Sequence, residues 1–214
     1  RVATNGDIRL EATPGQWQPV PKQLDRKLSD NSITATLCYP DSSRHLTGFN
    51  PMIYPDLHLI YTVQVESKGK HIEVTVDLDR PIPQEFIGKV GFNLEFFPGS
   101  LFGKPWIMDG QSGIFPQQPN SPLMTTQPNY LHTGNYHDGK QSLADMDKLI
   151  GKGYSPIVAD DIISEPYAKG RKFTSRPDDP YNKVTIESLS GDLQLFDGRM
   201  NHNNGWLALR SNIK

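Results

Sequence analysis

The stretch that decides the fold is Leu57-His58-Leu59-Ile60-Tyr61-Thr62-Val63-Gln64-Val65-Glu66-Ser67-Lys68-Gly69-Lys70-His71-Ile72-Glu73-Val74-Thr75-Val76-Asp77-Leu78. Leu57, Leu59, Tyr61, Val63 and Val65 alternate with mostly polar partners. Ser67-Lys68-Gly69-Lys70 is turn material. Ile72, Val74, Val76 and Leu78 then alternate with His71, Glu73, Thr75 and Asp77. A period of two, bounded by turn residues, predicts two strands with one face on a core, joined as a hairpin.

The same period extends outward. Upstream, Ile33, Ala35, Leu37 and Tyr39 alternate with Thr34, Thr36 and Cys38 until Pro40. Downstream, Val90, Phe92, Leu94 and Phe96 form a run stopped by Pro98-Gly99. Near the end come Val184, Ile186 and Leu189, then Leu193 and Leu195, then Leu207, Leu209 and Ile213. Strands are expected near residues 32–39, 57–66, 71–79, 90–97, 183–189, 192–196 and 206–213. The fold expected is all-β, a mainly antiparallel β-sandwich with a long irregular middle and at most a short helix. Ser142 to Ile150 is that helix, with Ser142 as N-cap and Leu143, Met146, Leu149 and Ile150 on one face. Residues 1–31 read as an N-terminal extension or first strand, and 32–214 as one sandwich domain with 98–182 as its elaborated middle.

Composition fits this reading. Among 214 residues, 18 are Gly and 18 are Pro, so the chain turns often. Lys+Arg of 22 against Asp+Glu of 24 leaves a formal net charge of −2, which argues against a nucleic-acid module. One cysteine, Cys38, excludes an internal disulfide framework and a zinc cluster. No apolar run reaches the roughly 18 residues of a membrane span. The chain opens at Arg1 without Met and closes directly after a strand-like run, as a segment of a longer or processed protein would.

Catalytic signals are sparse. There is no Gly-x-Ser-x-Gly elbow, and Cys38 sits on a strand with no nearby histidine, as an inert thiol would. Six histidines (His45, His58, His71, His132, His137 and His202) show no metal-ligand spacing. Asp160-Asp161 and Asp178-Asp179 are paired loop acids; calcium is the one cofactor they could hold, and turn formation is the simpler role. Asp109, Asp138, Glu165 and Asp179 could supply a glycosidase acid pair, but any chain of this size has such acids. Aromatics in the irregular middle point elsewhere. Trp106, Tyr130, Tyr136, Tyr154 and Tyr181 have polar neighbours and could stack on sugar faces; alternatively they pin loops to the sandwich, and Trp106, after Phe102-Gly103-Lys104-Pro105, suits a packing anchor.

Several phrases together resemble a known family. They are Val74-Thr75-Val76-Asp77-Leu78-Asp79-Arg80-Pro81-Ile82-Pro83, Gly88-Lys89-Val90-Gly91-Phe92-Asn93-Leu94-Glu95-Phe96-Phe97-Pro98, Leu101-Phe102-Gly103-Lys104, Gly113-Ile114-Phe115-Pro116, Leu195-Phe196-Asp197-Gly198-Arg199 and Asn203-Asn204-Gly205-Trp206. Over roughly residues 32–213 the chain resembles the N-terminal β-sandwich region of secreted glycoside hydrolase family 9-type, endoglucanase-like proteins of Bacteroidetes. In that family the catalytic acids sit in a helical barrel outside this region, so no catalytic residue carries over. The resemblance implies a non-catalytic accessory domain of a secreted enzyme of polysaccharide degradation. Its partners would be other domains of the same polypeptide and a plant-type polysaccharide. Its location would be periplasmic, cell-surface or extracellular, through a removed signal peptide. The alternatives are a purely structural module without ligand and a small β-sandwich hydrolase or lyase.

Overall fold

Turn chemistry sets the strand boundaries in the computed structural model, which describes residues 5–10, 21–39, 59–117, 165–197 and 207–213. Among the described residues the chain runs through β1 (Asn5–Leu10), β2 (Lys22–Leu28), β3 (Ser32–Tyr39), β4 (Leu59–Ser67), β5 (Ile72–Leu78), β6 (Val90–Phe96), β7 (Pro105–Met108), β8 (Gln111–Ile114), β9 (Ala168–Gly170), β10 (Lys172–Ser175), β11 (Val184–Glu187), β12 (Leu193–Asp197) and β13 (Leu207–Asn212). Two single 3-10 turns, Gln84–Phe86 and Pro98–Ser100, are the helical content there. All the strand pairs are antiparallel. The fold is all-β and sandwich-like, as the alternation predicts. Among the described residues no helix is long and apolar enough to cross a membrane.

The chain divides into two compact units. The first contains a five-stranded sheet, order β1-β6-β13-β12-β9, and a four-stranded sheet, order β11-β10-β7-β8. Their facing side chains make one core: Phe96, Leu193, Leu195, Leu207, Leu209 and Ala168 from the larger sheet, with Trp106, Met108 and Phe173 from the smaller. Leu101 and Phe115 join it from beside β7 and β8. The rings of Phe115 and Phe173 meet edge to face, with centroids 6.4 Å apart, an arrangement that suits the aromatic quadrupole. The β7–β8 hairpin turns on Asp109 and Gly110, with φ of 46° and 85°. Two successive positive φ values are the type I′ geometry that matches strand twist, and Asp-Gly suits it sterically.

The larger sheet carries buried side chains on both faces, which the alternation does not predict. Asn93, Glu95 and Arg210 are polar partners of Leu94, Phe96 and Leu209, yet they are buried. Arg210 donates from Nε to Asn212 Oδ1 at 2.6 Å and from Nη2 to the Lys89 carbonyl. Asn212 Nδ2 in turn donates to Gln194 Oε1 at 3.0 Å. The pairing register places Arg210 between Asn93 and Gln194 on neighbouring strands. The two bonds from the Arg210 guanidinium offset part of the cost of burying its charge.

The second unit contains one four-stranded meander, β2-β3-β4-β5. The predicted hairpin is present: Tyr61 through Ser67 pair with Leu78 through Ile72 without interruption. Gly69 takes the turn at φ 76°, where a Cβ would be strained. β2 lies in the stretch read as an extension or first strand; its sequence, Lys-Gln-Leu-Asp-Arg-Lys-Leu, is exposed throughout and has no alternation to mark its bounds. On the apolar face Tyr39, Leu59 and Tyr61 are buried, as expected of core positions. The far end of that face differs from expectation: Ile33, Ile72 and Val74 are exposed, because a sheet buries a face only where something lies over it.

Candidate functional site

The side of the smaller sheet in the first unit that faces away from the core is built from short polar and β-branched residues. Period two sends Trp106, Met108 and Phe173 inward and their neighbours outward. Register then lines up Thr185, Thr174, Ile107 and Ser112 in one row across four strands. The hydroxyls of Thr174 and Thr185 are 3.1 Å apart. Beside this row Lys172 and Glu187 face each other at 3.8 Å, both well exposed; such a surface pair contributes little stability. Ile114, opposite Pro105, is also exposed.

At one end of this face stands the β10–β11 loop, Arg176 to Lys183. Its conformation is set by Asp179. Oδ1 accepts the backbone N–H of Tyr181 and of Asn182, each at 3.0 Å, and Oδ2 accepts from Asn182 Nδ2 at 2.9 Å. The Asp179 N–H donates to the Arg176 carbonyl, Lys183 N–H donates to the Asp179 carbonyl, and Arg176 N–H donates to the Pro105 carbonyl. The Asn182 amide, with the Tyr181 and Asn182 backbone donors and the Arg176 charge, holds the Asp179 carboxyl below its ordinary value. Donors to a carboxylate favour its ionised form. Tyr181 rides on this loop with 93% of its surface exposed. Its ring is not tucked beneath the loop, and the loop is held by backbone and carboxylate without it.

Of the aromatic set, Trp106 lies in the core, 6% exposed, against Gly113, where a Cβ would come within 2.5 Å of Cζ2. It is the packing anchor that its Phe-Gly-Lys-Pro context suits, and its ring offers no face to a ligand. Tyr130, Tyr136 and Tyr154 lie outside the described residues, as do the helix expected at Ser142 to Ile150 and the acids Asp138, Asp160 and Asp161. Asp178 is exposed beside Asp179, whose carboxylate is taken up by the loop's own donors. Among the described residues no three His, Cys, Asp or Glu side chains converge as metal ligands would.

Asp109 has a comparable duty. Its Oδ2 accepts the Arg171 N–H and its Oδ1 the Lys172 N–H, the latter at 3.1 Å. It thus clamps the corner where β9 passes into β10. Asp109 and Asp179, two acids with glycosidase potential in the sequence, each organise backbone. A general acid needs its carboxyl pushed toward neutrality; Asp179 is shifted the other way. Residues that the pattern did not single out are Asn93, Glu95, Asp197 and Arg210, all buried. Tyr167 donates its hydroxyl to Asp197 Oδ2 at 3.2 Å. Their one sequence signal is a polar residue beside strong strand formers, which is also what a solvent face looks like. Comparison with family models, with curated proteins and with solved structures returned no match.

Proposed function

We propose that the chain is a non-catalytic accessory β-sandwich of a secreted glycoside hydrolase acting on plant-type polysaccharide, and that it touches glycan through the Tyr181 loop and the adjoining Thr174–Thr185 face. The observation that carries this reading is the exposure of Tyr181 on a loop ordered by Asp179. A ring held out on a rigid loop loses little conformational entropy when it stacks. Hydroxyls of Thr174 and Thr185 and the amide of Asn182 supply donors and acceptors of the type that read sugar hydroxyls. One ring is a small contact, so the affinity expected is millimolar, roughly −4 kcal/mol.

The purely structural reading draws support from Trp106, whose ring is spent on the core. Affinity electrophoresis in gels containing soluble β-glucan separates the two readings. Glycan contact predicts retardation of the chain, reduced in Tyr181→Ala with the melting temperature unchanged. Absence of retardation across β-glucans, or retardation indifferent to Tyr181→Ala, leaves the structural module standing.

A further inference from the structure

The meander of the second unit ends on two edges that are built differently. β2 is interrupted by a register shift between Gln23 and Asp25 and carries Lys22, Asp25, Arg26 and Lys27. A bulge with charged side chains is a common way for a sheet to discourage a foreign strand. β5 has no bulge, and its charged side chains, Glu73 and Asp77, are both acidic. Its register with β4 is unbroken, and Ile72–Leu78 contains no Pro, Gly, Lys or Arg.

Asp79 donates its N–H to the Ile60 carbonyl at 2.9 Å. By the alternation of an antiparallel ladder, the backbone groups of Leu78, Val76, Val74 and Ile72 then point away from β4. Among the described residues no strand lies on that side. The two faces of the edge have distinct chemistry. Ile72 and Val74 are 68% and 41% exposed, and Ile33 and Leu28 continue this apolar surface across the sheet. The other face presents Glu73, Thr75 and Asp77; Glu66 of β4, behind Glu73, is paired with Lys68 at 2.8 Å.

We propose that β5 is a strand-addition site that receives an extended segment of a partner polypeptide in which apolar and basic side chains alternate. Main-chain hydrogen bonds to the outward groups of β5 would supply affinity, and the alternating side chains specificity. The apolar set would prolong the Ile72–Val74–Val76 face. Lys or Arg on the opposite face would stand across from Glu73 and Asp77, where opposite charges stabilise and like charges repel. The same charges disfavour a second copy as occupant. Antiparallel β5–β5 pairing centred on Thr75 sets Glu73 against Asp77 twice, and the basic edge, β2, is bulged.

The test uses the whole isotope-labelled chain and three short capped peptides of β5's length: alternating valine and lysine, alternating valine and glutamate, and the valine–lysine composition scrambled. The lysine peptide is expected to shift and protect the amides of Ile72, Val74 and Val76, and to bind about tenfold or more tightly than the other two. Val74→Pro removes one outward donor at a position where an edge strand tolerates proline, and should abolish that preference. Because proline could also loosen β5, the double variant Glu73→Lys, Asp77→Lys provides the second measurement: it should invert the preference toward the glutamate peptide. Equal binding of the lysine and glutamate peptides, no response at β5, preserved preference in the double variant, or self-association through β5 in place of peptide binding would each overturn the proposal.

Discussion

Gly113 lies flat on the indole of Trp106: the two are paired across β7 and β8, and a Cβ on Gly113 would sit 2.5 Å from Cζ2 and 2.8 Å from Cε2. The indole has no room to retreat, since it is packed into the sandwich core. Gly113→Ala is therefore expected to cost about 1–3 kcal/mol, the range for overpacking. Trp106→Ala should cost about 3–5 kcal/mol. Combined, the two should cost less than their sum, because the truncated site accepts the added methyl. Denaturant melts of the four proteins check this; additive effects would mean the close approach is not what constrains Gly113.

Gly91 makes room in the same way for Arg210. A Cβ there would meet Arg210 Nε at 2.6 Å and the Ser211 carbonyl at 2.8 Å. Gly91→Ala should displace the guanidinium and with it the bonds to Asn212 and the Lys89 carbonyl. Hydrogen bonds from a charged donor contribute about 1.5–3 kcal/mol each, so Arg210→Ala is expected to be among the most destabilising single changes in the first unit. A drop in melting temperature of only a degree or two would contradict this.

At the β9–β10 corner, Asp109→Ala removes two acceptors from backbone donors and leaves a Cβ-bearing residue at positive φ with no side-chain compensation. A loss of about 1–2 kcal/mol is expected, on the scale of a lost helix cap. Asp109→Asn should lose less, since it keeps one acceptor and tolerates this backbone region. Hydrogen exchange at Arg171 and Lys172 should follow the same ranking.

The Asp179 loop should respond to acid. Its folded carboxyl titrates below the ordinary 3.8. A group depressed in the folded state contributes stability that is fully present above its unfolded pKa and is lost as pH falls through the folded value. Protection of the Tyr181 and Asn182 amides, corrected for intrinsic exchange, is thus expected to be flat near neutrality and to fall only at acid pH below that point. Asp179→Ala should show low protection of both amides at every pH. If it matches the parent, the carboxylate is not what orders the loop.

Much of the fold was legible because period two survives wherever one face of a strand meets a core. β3 runs from Ser32 to Tyr39, the bounds its alternation predicts, and β4, β5, β6, β12 and β13 begin and end within two residues of theirs. The strands for which no bounds were expected lack that contrast. β2 has both faces exposed, while β7, β8, β9 and β10 are three or four residues long and too short to display a period. For the candidate surface, sequence placed Tyr181 in a loop with polar neighbours and suited Trp106 to a packing anchor, but kept both among the rings that could stack on sugar. The difference is whether a ring is covered, and coverage depends on residues distant in the chain.

The sequence by itself therefore determined the strand class, the antiparallel β4–β5 hairpin and the face to which each of its side chains points, since these depend on neighbours along the chain. Tertiary structure decided how much of each face is covered. Asn93, Glu95 and Arg210 alternate like solvent residues yet are buried, while Ile72 and Val74 alternate like core residues yet are exposed. Alternation records only that the two faces of a strand differ. Which of them meets water follows from what lies over it, and alternation along one strand carries no record of that.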